Sequence, residues 1–296
     1  MQKFITRRNI IKITASAIGM IPYSSFANKT IYNYNWKGSA LGNPVEMQIY
    51  TKNQNHLEKI LGIIIPEINR LDKIFYLQDA SSTINLLNKK KIILNPEPEI
   101  LNAINLSEKF FNISKGSFDI TVQPLWNAYS SGKKVVSDGI GFNNIDISKN
   151  KIILLNKNTE ITLNALAQGI LTDRIHEILL NSGITNHLIN FGEGRSSGLA
   201  PHQKKWLLNI NNNTVDITNK GFSVSEAKST ILPNKKSHLF NANIYNAAKD
   251  IPSKTIVIAN SATLADGLST TYAVSSKIIR ENLVKYFSGA QFIINT

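Results

Sequence analysis

Asp266 and Thr270 stand four residues apart in the run Ser261-Ala-Thr-Leu-Ala-Asp266-Gly-Leu-Ser269-Thr270-Thr-Tyr. On a helix that spacing stacks a carboxylate and a hydroxyl on one face, one turn apart. Two hard oxygens held that way suit magnesium, which prefers oxygen ligands in an octahedral array. Ser261 is placed to cap such a helix, and Ile256-Val-Ile-Ala before it reads as a buried strand. A strand feeding a helix whose first turns carry metal-grade oxygens is one way to build a phosphate site. The pair alone is common on helix surfaces, so the rest of the chain decides what it means.

The elements that would position this pair follow from periodicity. Residues 46–50 alternate as a strand. Residues 55–75 carry Leu57, Ile60, Leu61, Ile64, Ile68, Leu71 and Phe75 at helical spacing, across Pro66. Residues 81–88 read as a short capped helix. Pro96 and Pro98 start another over 99–114, closed by Lys115-Gly116. Residues 114–126 read as a glycine turn, a short strand with Asp119 and Thr121 on one side, then Pro124. Residues 130–150 read as loop, and 151–155 with 160–163 as a hairpin. Residues 164–180 form a strongly amphipathic helix. Strands follow at 187–191 and 206–210, while 211–250 is polar and has no clear pattern. A strand at 256–259, helices over 261–275 and 278–287, and a strand at 291–294 finish the chain. Strands and helices mix without strict βαβ alternation, which predicts an α+β fold with mixed or antiparallel sheets and packed helices.

Composition excludes several classes. The 296 residues are 42% apolar, enough for a core. There is no cysteine, so disulfides, thiolate metal sites and cysteine nucleophiles are ruled out. The five histidines show no zinc spacing. Net charge is +13, but the lysines are scattered and no aromatic-interleaved basic stripe is present, so nucleic acid is not expected as a partner. An anionic ligand or an acidic partner fits better.

The first residues read as an address. Thr6-Arg7-Arg8-Asn9-Ile-Ile-Lys12 precedes a weakly apolar run over 13–21, and Ser25-Phe26-Ala27 is a small-x-small cleavage site. Paired arginines with modest apolarity point to a twin-arginine leader over 1–27, export to the periplasm, and a single domain over 28–296. The leader holds four positive charges and no acid, which leaves +9 behind it. No other stretch reaches 18 apolar residues, so no transmembrane anchor is expected.

Three further blocks join the Asp266 segment. They are Ser114-Lys-Gly-Ser117-Phe118-Asp119-Ile-Thr121-Val-Gln-Pro124-Leu-Trp126, Leu163-Asn-Ala165-Leu-Ala-Gln168-Gly169-Ile-Leu-Thr-Asp173, and Asn190-Phe-Gly192-Glu193-Gly. In this order over about residues 36–296, the four resemble the FAD:protein FMN transferases of ApbE type. That family carries S-x-G-A-F-D-x-T-V-x-P-L, L-x-G-I-A-K/Q-G-Y-x-x-D, a G-G-E/D turn and A-D-A-L-A/S-T. Trp36-Lys-Gly-Ser-Ala-Leu41-Gly42, the Pro-Leu-Trp block and Gln168 resemble its twin-arginine exported branch, linked to flavinylation of nitrous-oxide respiration proteins.

The resemblance implies a flavin transferase fold with an FAD cleft between sub-lobes. It implies transfer of FMN from FAD onto a threonine of an exported acceptor protein, with release of AMP. It implies Mg2+ held by Asp266, Thr270 and the Ala165 carbonyl, with Ser269 beside them. Leu41, Ser117, Phe118, Asp119, Thr121, Thr162, Gln168 and Asp173 would line the FAD. Glu193 would order its loop or touch the ligand. His238 would act at the transfer step, as a base for the incoming threonine.

Two departures stand out. The family's H-I-I/L-D-P-x-T-G block reads here as His238-Leu-Phe-Asn241-Ala-Asn243, so the aspartate is an asparagine. The usual aromatic in the 75–82 block is Gln78, with Tyr76 nearby. These leave open two other readings: an FAD-binding protein that has lost transfer, and a fold kept for partner interaction without flavin.

Overall fold

Tyr32, Tyr34 and Trp36 alternate with Asn33, Asn35 and Lys37, the period of a strand. In the computed structural model, which describes residues 32–52, 54–210, 213–233 and 235–295, they form β1 (Tyr32–Ala40). A turn at Leu41-Gly42, both at positive φ, returns β1 antiparallel onto β2 (Asn43–Thr51). Then follow α1 (Gln54–Phe75), α2 (Thr83–Lys90), β3 (Ile92–Leu94), α3 (Pro98–Ile113), α4 (Gln123–Ser131), β4 (Ile145–Ser148) and β5 (Lys151–Leu154). The second half runs α5 (Asn164–Asn181), β6 (Asn186–Asn190), β7 (Gly194–Ser197), β8 (Leu207–Ile210), β9 (Asn213–Asp216) and β10 (Gly221–Glu226). It ends with β11 (Phe240–Asn241), β12 (Asn246–Ala247), β13 (Lys254–Ala259), α6 (Ala262–Val274), α7 (Lys277–Tyr286) and β14 (Gln291–Asn295). The leader expected over 1–27 lies outside the described residues.

Seven strands make one sheet in the order β1-β2-β6-β7-β10-β13-β14, every pairing antiparallel. Helices α5 and α6 pack together beneath it. The apolar run in β13 is explained by burial on both faces. Val257 and Ala259 face the helical core, while Ile256 and Ile258 join Trp206 and Phe222 under the β8–β9 hairpin. A third, small cluster of Leu125, Ile140, Leu232, Phe240 and Ala242 ties α4 to the 230–242 segment. Among the described residues no helix is long and apolar enough to cross a membrane.

Four local expectations change. The strand expected around Asp119 is a 3-10 turn (Ile120–Val122), because the Asp119 carboxylate accepts from the Thr121 N–H and closes it. Pro124 then opens helix α4 rather than ending a strand. Residues 145–148, expected as loop, are a strand that pairs with β5. Residues 160–163 do not complete a hairpin. Instead Ile161 pairs its backbone N–H and C=O with the Asn88 side chain, at 2.7 and 2.8 Å, and Thr162 N–H donates to Ile120 O.

Candidate active site

Helices α5 and α6 cross at Gly169. A Cβ there would lie 2.6 Å from Thr263 Cα and 2.8 Å from Ala262 O, so only glycine permits the approach. The α6 N-terminus is capped twice. Ser261 Oγ accepts from Leu264 N–H, and the Asp173 carboxylate reaches across from α5 to accept from Ala262 N–H, Thr263 N–H and Thr263 Oγ1–H. A carboxylate on these N–H groups also suits the positive end of the helix. Arg195 pairs with Asp173 from β7, at 3.2 Å. One turn on, Asp266 is buried and accepts from Gly169 N–H at 3.3 Å.

This wall faces a cleft of about 860 Å3, open mouth included. Ala165, Asp266 and Thr270 line it together, with Asn164, Glu193 and Ser225 beside them. Among the described residues no group of three His, Cys, Asp or Glu could hold an ion alone. One carboxylate, one hydroxyl and a stretch of main chain suit magnesium with waters or phosphate oxygens completing the shell. The donor set therefore fits the ion that the sequence implies.

The rest of the cleft is built for an organic ligand. Phe118, Trp126 and Phe240 supply apolar surface. Asp119 is buried against it. Oδ1 accepts from Thr121 N–H and Oγ1–H at 2.8 and 2.7 Å, and the Phe142 backbone N–H also faces the carboxylate. Burial raises its pKa to about 6, against the hydrogen bonds from Thr121 and the Phe142 backbone. An adjoining recess of about 1210 Å3, open mouth included, shares Trp126, Asn164 and His238 with the cleft. Leu41, Tyr76, Gln78 and Gln168 line that recess. Leu41 sits at φ 48°, held by its N–H on the Asp72 carboxylate at 2.8 Å. The Gln168 side chain lies against Gly192, where a Cβ would come within 2.3 Å of it.

His238 lines both spaces. Its Nδ1 lies 3.1 Å from Thr230 O, an acceptor only, so Nδ1 carries the proton and Nε2 is the basic nitrogen. Asn241 does what an aspartate could not. Its Oδ1 accepts from Asn243 N–H and its Nδ2 donates to Val274 O at 2.8 Å, tying the segment to the end of α6. Ala242 N–H donates to Ser117 O, which docks it on the Phe118–Asp119 turn.

The structure thus brings Leu41, Phe118, Asp119, Thr162, Ala165, Gln168, His238, Asp266 and Thr270 onto one continuous cleft. It places four others behind the lining. Ser117 shapes the turn, with its Oγ 3.5 Å from Asn243 Nδ2. Thr121 bridges Asp119 and Gly141 N–H. Asp173 is spent on the α6 N-terminus, and Ser269 is buried against β10. Trp126, Ser225, Glu226 and Phe240 also line the cleft. The last three lie in the 211–250 stretch, which carries no periodic signal. Nothing in a helix pattern marks Asp72 as the carboxylate that turns back to the β1–β2 hairpin.

The fold is that of known flavin transferases. It matches ApbE from Vibrio cholerae with TM-score 0.76 and 15% identity, over 90% of this chain and 98% of that one. It matches apo flavinyl transferase ApbE from Pseudomonas stutzeri with TM-score 0.78 and 18% identity, over 90% and 92%. The ApbE protein from Thermotoga maritima gives TM-score 0.76 and 19% identity, over 89% and 94%. No curated protein matches the sequence significantly. The sequence profile of the ApbE family covers residues 41–293, and the chain belongs to that family.

Proposed function

We propose that this chain transfers FMN from FAD to a threonine of an acceptor protein and releases AMP. The observation that carries this reading is the convergence of Ala165, Asp266, Thr270 and His238, from three distant segments, on one cleft that an adjoining recess extends. Bound magnesium would neutralise the diphosphate and ease its cleavage. Asp266, Thr270 and the main chain at Ala165 would hold it. The buried Asp119 and the apolar walls orient the flavin end. His238 Nε2 takes the proton from the acceptor threonine as its oxygen bonds to the FMN phosphorus. The P–O bond to AMP breaks, and AMP leaves with the electron pair. Asn241 does not remove this capacity, because its role is to fix the segment that carries His238.

In this reading residues 28–296 act as one domain in the periplasm, behind a twin-arginine leader, on an exported acceptor of the nitrous-oxide respiration kind. The test is direct. The mature chain is incubated with FAD, Mg2+ and a flavin-acceptor domain, and the acceptor is examined for in-gel flavin fluorescence. A fluorescent band that disappears when the acceptor threonine is replaced supports transfer. Bound FAD with no labelled acceptor would reject it in favour of a flavin-binding protein.

A further inference from the structure

Ser269 Oγ is fully buried and touches three groups. It donates to Asp266 O, one turn back, at 3.0 Å, and lies 2.8 Å from Ser223 Oγ and 2.7 Å from Ser225 Oγ. A hydroxyl has one proton and two lone pairs. With its proton on Asp266 O, Ser269 accepts from both β10 serines. The Ser225 proton is then committed to Ser269, so the Ser225 oxygen meets Thr270 Oγ1, at 3.3 Å, as an acceptor. The Thr270 proton therefore points at Ser225. Its lone pairs are left for the cleft that Thr270, Ser225 and Asp266 line together.

We infer that Ser225 is a positioning residue: it draws the Thr270 proton toward β10 so that Thr270 Oγ1 presents lone pairs to a hard divalent cation beside Asp266. The inference rests on the metal reading given above and extends it. Ser269 belongs to the same device as its hub, holding Ser225 in place rather than reaching the ion. Ser223 supplies the internal control. It donates to the same Ser269 oxygen, but no hydrogen bond joins it to Thr270.

The experiment uses Mn2+ alone, titrated into the full mature chain without nucleotide and read by the loss of the free-ion paramagnetic resonance signal. Ser225→Ala is expected to bind Mn2+ about tenfold more weakly, the size of effect seen when a supporting partner of a metal ligand is removed. Ser225→Thr, which keeps the hydroxyl, restores binding, and Ser223→Ala leaves it unchanged. If Ser225→Ala fails to fold, Ser225→Cys, similar in volume and a weaker donor, replaces it. Wild-type affinity in the Ser225 variant would overturn the inference. So would an equal loss in Ser223→Ala, since that marks a packing effect. A wild-type chain that binds no Mn2+ would instead reject the metal reading, and the inference would fall with it.

Discussion

The two sides of the cleft are made by opposite means. The α5–α6 wall is regular: a glycine contact sets the helix spacing, Ser261 and Asp173 cap α6, and Asp266 and Thr270 follow at one-turn spacing. The facing side, from α4 and residues 227–250, has little regular structure. It stands on a small apolar cluster and on side-chain-to-backbone bonds such as Asn241 to Val274 O and Asn243 to Lys115 O. The proposed ion would lie on the regular side. The proposed proton acceptor, His238, sits on a segment held by individual hydrogen bonds. In such an arrangement, changes on the first side should act on chemistry or on helix packing, and changes on the second should separate stability from chemistry.

Asp266→Ala should show the largest effect. A metal contribution of several kcal/mol implies a loss of roughly a thousandfold in magnesium-dependent transfer. The variant should keep a cooperative thermal transition, and unchanged turnover would break the comparison. His238→Ala should lower transfer about a hundredfold or more, the usual share of a general base, while FAD binding is kept. Parallel turnover and FAD titrations separate the two.

Asp119 makes a pH prediction. The folded chain holds its proton up to about pH 6, whereas the unfolded chain releases it near 3.8. Stability from this group is fully present below 3.8 and falls as pH climbs through 6, by about 3 kcal/mol. Urea melts across that range should show wild type losing stability relative to Asp119→Asn as pH rises, and a constant difference between the two would contradict the assignment.

Gly169→Ala should destabilise the regular wall by about 1–3 kcal/mol, since the new methyl meets backbone atoms that cannot swing away. The helix propensity gained by alanine, about 1 kcal/mol, offsets only part of this. On the irregular side, Asn241→Asp should cost about 1–3 kcal/mol by turning an acceptor toward Val274 O. Transfer per folded molecule should persist. A transfer defect larger than the folding defect would show that the segment's charge matters to the reaction.

This contrast also explains what could be read from the chain. Ser261 as a cap, the one-turn spacing of Asp266 and Thr270, and the 54–75 and 164–181 helices depend on neighbours in sequence, so type and spacing reveal them. β1 is marked by its aromatic alternation at Tyr32, Tyr34 and Trp36. Around Asp119, between a glycine turn and Pro124, the segment with Asp119 and Thr121 on one side reads as a short strand, yet an aspartate two residues before a backbone N–H closes a turn. The Asn88 clamp on Ile161 and the Asn241 tie to Val274 join residues 73 and 33 positions apart. No local pattern encodes such pairs. Asp173 and Ser269 stood in the right motifs for a different reason: they hold the lining residues rather than line the cleft.

The central claim is that Asp266 and the diphosphate of FAD share one ion. Titration of FAD into wild-type and Asp266→Asn chains, with and without Mg2+, measures that coupling as a difference in dissociation constants. The account predicts that Mg2+ tightens FAD by about tenfold or more in wild type and has no effect in the asparagine variant. An equal Mg2+ effect in both chains would contradict it.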